Sequence, residues 1–241
     1  MKISEGKVFN DKVEIHYLVS QVDANKLSPL IIIPGLSESA EDYIDIIKGI
    51  DDRKCVAISL RGRGKSDSPE GGYKLSDHIS DIERVVDELE LKEFVLMGYS
   101  RGVSYMLGYA LKHIERLKGV IIGDYPAIHT KLPEQWVDIF IKLPPWRGKT
   151  ALERMNRFAL EAIQRESEEE FFYEDLYKFK IPVLIISGGK KGSILSTEMK
   201  EQYLKVIGNA EIIVFEDCDH NIFEPDINQL INAIKIFICR L

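Results

Sequence analysis

Apolar and polar positions follow two distinct rhythms along this chain. Val8, Val13, Ile15, Tyr17 and Val19 recur around the turn signal Asn10-Asp11, as the two arms of an antiparallel hairpin do. Six continuous apolar runs follow, at residues 29–33, 55–58, 94–97, 120–122, 183–186 and 212–215. Runs that short and unbroken belong to strands covered on both faces. Between them the period lengthens. Over residues 77–91, Ile79, Ile82, Val85, Val86 and Leu89 share one helical face, while Asp81, Glu83, Asp87 and Glu88 fall elsewhere. Ile227, Leu230, Ile231, Ile234 and Ile238 repeat that spacing after Pro225, a residue suited to an early helical turn. Strands alternating with helices predict an α/β fold, a mostly parallel central sheet of about eight strands with helices on both faces.

One segment breaks the alternation. Residues 126–180 hold no buried-strand run, but they have helical stretches at 134–141 and 149–164, separated by Leu143-Pro144-Pro145-Trp146. An insertion of this length is uncommon as a plain loop and predicts a helical cap. The expected organisation is a core domain of residues 1–125 and 181–241, with a cap of residues 126–180 inserted into it. Trp136, Ile139, Phe140, Trp146, Met155 and Phe158 either line an apolar pocket or form the cap's own small core.

Composition narrows the function classes. The 241 residues carry a formal net charge of −7 and a sequence pI near 5.4, which disfavours nucleic-acid binding, because phosphate contacts need a basic face. No apolar run approaches the length of a bilayer span. Residues 1–7 lack the apolar core and small-residue cleavage site of a signal peptide. Cys55, Cys218 and Cys239 are widely spaced, as expected of reduced thiols in a cytoplasmic protein. Cys218 is expected to be a small packing residue near His220. No ligand cluster has metal-binding spacing, so neither a metal nor an organic cofactor is expected.

The candidate chemistry centres on Gly98-Tyr99-Ser100-Arg101-Gly102. This Gly-x-Ser-x-Gly directly follows an apolar run and directly precedes a helical segment, the strand, turn and helix context the motif needs. So tight a turn forces its serine into strained backbone, and glycines two residues to either side leave room for the neighbouring elements. The hydroxyl is then presented beside a helix N-terminus, whose free N–H groups favour developing negative charge.

Four stretches in order are similar to those of the α/β-hydrolase-fold superfamily. Ile33-Pro34-Gly35-Leu36 resembles the His-Gly loop after the third strand, with proline in place of histidine. Leu60-Arg61-Gly62-Arg63-Gly64-Lys65-Ser66 resembles the loop after the fourth strand, with Ser59 where an aspartate usually stands. Residues 98–102 resemble the nucleophile elbow, and Asp219-His220-Asn221-Ile222-Phe223-Glu224-Pro225 the histidine loop before the last helix. Gly64-Lys65-Ser66 is not a phosphate-binding loop, because Ser59 stands where that motif needs glycine. Arg61 and Arg63 are expected to shape a turn beside the sheet.

This resemblance implies Ser100 as nucleophile and His220 as its base. His16, His78, His113 and His129 are expected to be surface or packing residues. An oxyanion hole needs two fixed N–H donors. The elbow supplies one from Arg101, and the resemblance implies the other from Leu36. The Arg101 guanidinium is expected in a surface salt bridge, with a place over the cap or over a substrate carboxylate as the alternative. Most family members place the acid after the seventh strand, but residues 187–193 contain no carboxylate. Asp124, at the end of the sixth strand, is the leading acid; its alternative role is to begin the cap by satisfying turn amides. Asp217 and Asp219 rank below it. The expected activity is serine hydrolysis of a small ester-like substrate with an apolar part. Lactone, thioester or carbon–carbon bond hydrolysis would use the same residues, and a non-catalytic ligand receptor is the competing class.

Overall fold

A computed structural model describes residues 2–22 and 27–241; Met1, the first residue of the segment read above for a signal peptide, lies outside them. The chain opens with the hairpin β1 (Lys2–Asn10) and β2 (Val13–Gln21), in register from Lys2 opposite Gln21 to Asn10 opposite Val13. The first strand is longer than the alternation suggested, because its outer half is polar and its pairing comes from the backbone ladder. Next come β3 (Leu30–Ile33), α1 (Ile44–Gly49), β4 (Cys55–Ser59), α2 (Leu75–Glu88), β5 (Phe94–Tyr99), α3 (Gly102–Lys112) and β6 (Leu117–Gly123). The inserted segment between β6 and β9, expected to be a cap, holds β7 (Ile128–His129), α4 (Trp136–Phe140), α5 (Ala151–Arg154), α6 (Arg157–Glu166) and β8 (Glu170–Phe171). The core resumes with β9 (Val183–Gly188), α7 (Thr197–Val206), β10 (Ala210–Phe215) and α8 (Ile227–Ile238).

Eight strands form one sheet in the order β1-β2-β4-β3-β5-β6-β9-β10. β1, β2 and β4 pair antiparallel, and every other neighbour is parallel. Successive side chains of the central strands point to opposite faces. Ile31, Ile33, Leu96, Ile122 and Ile185 therefore meet α2, α3 and α7 on one side. Leu30, Ile32, Met97, Ile121 and Leu184 meet α1 and α8 on the other. Full burial on both faces explains why these strands read as unbroken apolar runs, and each fully buried Ile or Leu contributes roughly 1.5–3 kcal/mol.

The inserted segment has a small core of its own, in which Val137, Met155, Ala159, Leu160, Ala162 and Ile163 pack with Tyr73 and Leu36. Further along the insertion, Phe172, Tyr173, Leu176 and Phe179 pack into the main hydrophobic core. Asp81, outside the apolar set of α2, is fully buried and takes a two-pronged ion pair from Arg61, with Nη2 to Oδ1 at 2.6 Å and Nε to Oδ2 at 2.8 Å. Burying that carboxylate is tolerable because the guanidinium fork and the Asn10 amide satisfy it. No helix among the described residues is long and apolar enough to cross a membrane.

Candidate active site

β5 ends at Tyr99, and Ser100 makes the turn into α3 with φ +51°. The turn is pinned on both sides: the Ser100 amide donates to Gly123 O at 2.9 Å, and its carbonyl accepts from Val103 N at 2.9 Å. Gly102 is required by close approach, since a Cβ there would lie 2.2 Å from Pro34 O. A non-glycine residue at positive φ is costly, and the surrounding contacts must hold it. The Ser100 hydroxyl is thereby fixed at the carboxyl ends of the parallel strands.

His220 lies in the loop between β10 and α8. Its carbonyl accepts the Tyr99 hydroxyl at 2.6 Å, and its ring stacks on Tyr99 with centroids 5.1 Å apart. Burial, with the nearby charges of Glu38 and Asp124, pushes the Tyr99 phenol well above its ordinary value, so it stays a donor. His220 Nε2 is 2.9 Å from Ser100 Oγ, and Nδ1 is 2.7 Å from Asp124 Oδ2. A proton on Nδ1 would donate to the Asp124 carboxylate and leave Nε2 to accept from the serine hydroxyl.

Asp124 directly follows β6 and is fully buried, with φ +42°. Its amide continues the sheet by donating to Ile186 O at 2.8 Å. The carboxylate takes two further donors from the loop after β9, Ser193 Oγ to Oδ1 at 2.6 Å and Ile194 N to Oδ2 at 3.0 Å. The nearby acids do not compete for the imidazole. Asp217 is 83% exposed, 3.9 Å from Lys190, and Asp219 accepts from the Asn221 amide.

The amides of Leu36 and Arg101 donate to nothing among the described residues. The Leu36 carbonyl is held by Arg63 Nε at 2.8 Å. Arg63 is buried and also bonds Arg61 O and His78 Nε2. The Arg101 side chain corrects the expectation of a surface ion pair. It is only 3% exposed, meets no carboxylate among the described residues, and bonds Thr130, His129 and Tyr105 instead. Residue 101 must follow the elbow serine into the protein, which gives its guanidinium neutral acceptors rather than solvent. Burial and the Arg101 charge push His129 down to about 3, and burial likewise holds His78 well below its ordinary value. Both rings stay neutral packing residues. Cys218 is buried and its thiol donates to Glu224 O.

Above the serine lies a cavity of about 400 Å³ walled by Leu36, Phe140, Leu143, Pro144, Pro145 and Trp146, with Ser100 and His220 at its floor. Of the six cap residues weighed from the sequence, Phe140 and Trp146 line it. Met155 and Trp136 pack in the cap's core, while Ile139 and Phe158 are 59% and 44% exposed.

Sequence reasoning missed Glu38 and Ser193. Glu38 is 2% exposed and accepts from Gly35 N at 3.0 Å, Tyr43 Oη at 2.6 Å, Trp146 Nε1 at 2.9 Å and Arg147 Nη1 at 3.1 Å. The signal available for it was spacing, since a carboxylate three residues on can reach back to an amide. Ser193 carried none.

A mostly parallel sheet with a strained serine between strand and helix, and a histidine after the last strand, defines the α/β-hydrolase class of architecture. The chain belongs to the alpha/beta hydrolase fold family, whose model it matches over residues 28–178. It is 24% identical over 263 residues to the AB hydrolase superfamily protein YisY of Bacillus subtilis, covering 94% of this chain and 97% of that protein. A second relative, the putative 2-succinyl-6-hydroxy-2,4-cyclohexadiene-1-carboxylate synthase of Bacillus subtilis, is 24% identical over 110 residues; the match spans 45% of this chain and only 40% of that protein. Among solved structures, the enol-lactonase from Burkholderia xenovorans LB400 superposes with a TM-score of 0.84 at 16% identity, covering 97% of this chain and all of that one. The esterase from Exiguobacterium antarcticum does so with a TM-score of 0.77 at 20% identity, covering 94% and 96%.

Proposed function

We propose that the protein is a serine hydrolase that cleaves a small carboxylic ester or related acyl substrate through an acyl-enzyme on Ser100. The observation that carries this reading is the hydrogen-bonded chain Ser100 Oγ, His220 and Asp124, lying under an apolar cavity. His220 Nε2 removes the hydroxyl proton as Oγ attacks the carbonyl carbon. The resulting oxyanion takes the amides of Leu36 and Arg101, which are fixed before it forms. Collapse expels the alcohol with the proton from Nε2. A water then loses its proton to the same nitrogen, attacks the acyl carbon and frees Ser100. Asp124 accepts from the Nδ1–H, which fixes the tautomer.

The cavity volume and its apolar walls suit a small acyl or alkyl group. Fold relatives described as an esterase and an enol-lactonase support hydrolysis of an ester or lactone carbonyl. The three free thiols suit a reducing compartment, which supports a cytoplasmic protein. The test is covalent. A fluorophosphonate probe labels the wild-type protein at Ser100 and leaves Ser100→Ala unlabelled. A wild type that stays unlabelled, or a variant that labels equally, leaves the ligand-receptor reading in possession.

A further inference from the structure

Glu38 joins two parts of the molecule through one buried carboxylate. Two of its donors, Gly35 N–H and the Tyr43 hydroxyl, belong to the core and are neutral. Burial and the Glu38 charge hold the Tyr43 phenol well above its ordinary value, so it is no rival anion. The other two donors, the Trp146 indole and the Arg147 guanidinium, come from the cap. Arg147 is the one ion-pair partner of Glu38 among the described residues. A carboxylate this deep is costly unless a cation matches it.

The position of that charge matters for the reaction proposed above. A Cβ on Gly35 would lie 2.9 Å from Glu38 Oε2 and 3.4 Å from Ser100 Cβ, so carboxylate and nucleophile flank the same glycine. An unmatched anion there repels the oxyanion that forms beside Leu36, strongly so in a poorly solvated site. Arg147 is placed to cancel it. It sits in a tight cap turn of residues 146–149, with φ +47° at Arg147 and +80° at Gly148. Its guanidinium lies 4.0 Å from the centroid of the Phe223 ring, three residues beyond His220, and Nη2 donates to Asp42 O at 2.7 Å. The same turn carries Trp146, whose ring centroid is 5.8 Å from that of His220. Arg147 therefore touches both the segment after β3 and the histidine loop.

We propose that Arg147 is a positioning residue that makes acyl transfer conditional on the seated cap. Docked, it neutralises Glu38 beside the oxyanion loop. Lifted, it leaves an uncompensated anion next to the forming oxyanion. This inference rests on the serine-hydrolase reading, and wild-type labelling by fluorophosphonate separates the two: an unlabelled wild type sinks that reading, whereas the outcomes below apply to a protein that labels.

The experiment is a double-mutant cycle on kcat and KM with p-nitrophenyl acetate and butyrate. Arg147→Gln is expected to lower kcat by about 30-fold while KM changes by less than about threefold. In the Glu38→Gln background the same substitution changes kcat by less than about threefold, because no charge is left to cancel. Arg147→Lys, which keeps the charge, retains kcat within about fivefold. If Arg147→Gln does not fold, the double variant still does, and its kcat matching that of Glu38→Gln carries the test. Equal losses in both backgrounds, a loss confined to KM, an Arg147→Lys as poor as Arg147→Gln, or an unfolded double variant overturns the proposal.

Discussion

The loops after β6 and β9 stand side by side at the carboxyl edge of the sheet and meet the same histidine loop, but they contribute different things. The β6 loop offers a carboxylate, Asp124, whose Oδ2 lies 2.7 Å from His220 Nδ1. The β9 loop offers no acid; it supplies the Ser193 hydroxyl and the Ile194 amide that hold that carboxylate. Packing accounts for part of the difference. Where β9 ends, a Cβ on Gly188 would lie 2.0 Å from Asp219 O, and one on Gly189 would lie 2.8 Å from Glu216 Cα. The β9 end runs too close to the histidine loop for a side chain to stand between them at these positions. The β6 end, one strand further in, has room for a buried side chain reaching across.

The sharpest way to break this comparison is Asp124→Asn. If the β6 loop supplies the acid, its amide presents a donor to Nδ1, favours the wrong tautomer and lowers kcat by about 10⁴-fold. Circular dichroism and thermal unfolding should show the fold intact. Turnover near wild type would return Asp124 to a purely structural role at the start of the cap. Gly188→Ala probes the packing argument. It should destabilise the protein by about 1–3 kcal/mol or more, read from the urea midpoint, because the obstacle is backbone. An unchanged midpoint would mean that packing does not exclude side chains from the β9 loop.

Ser193→Ala tests the supporting role of that loop and should cost about tenfold or less in kcat, since Ile194 and His220 still donate to the carboxylate. A loss as large as that of Asp124→Asn would erase the distinction between acid and holder. The mildest effect concerns His129, five residues beyond Asp124 on the β6 side. Its folded pKa of about 3 lies below the unfolded value of about 6.5. Between those values the unfolded chain binds the extra proton, so stability declines as pH falls from about 6.5 toward 3. His78, also lowered by burial, acts in the same direction. The urea midpoint should therefore be lower at pH 5 than at pH 7, and His129→Gln should flatten that slope.

Much of the fold was legible because its determinants are local or periodic. Ile31, Leu96 and Ile185 announce strands covered on both faces, and the five spaced apolar residues from Ile79 to Leu89 announce α2. The elbow was equally readable, since Gly98, Ser100 and Gly102 answer to the sterics of one turn. Side-chain destinations were less so. Arg101 was expected near solvent and is buried against Thr130 and His129. Glu38 carried no mark of its place, because nothing near it in sequence shows that Trp146 and Arg147 will arrive from 108 and 109 residues away. Ser193 is in the same position, 69 residues from the carboxylate it holds.

By itself the sequence determined the sheet, the helices that cover it, and a serine on a strained turn between strand and helix. Hydrophobic periodicity and backbone sterics act over a few residues, so a linear reading captures them. Only the tertiary structure decided which carboxylate faces His220, how the β9 loop holds it, and which cap side chain meets Glu38. These are matters of distance and direction between residues about a hundred positions apart. They are set by the order of strands in the sheet and by how closely neighbouring loops pack at its edge.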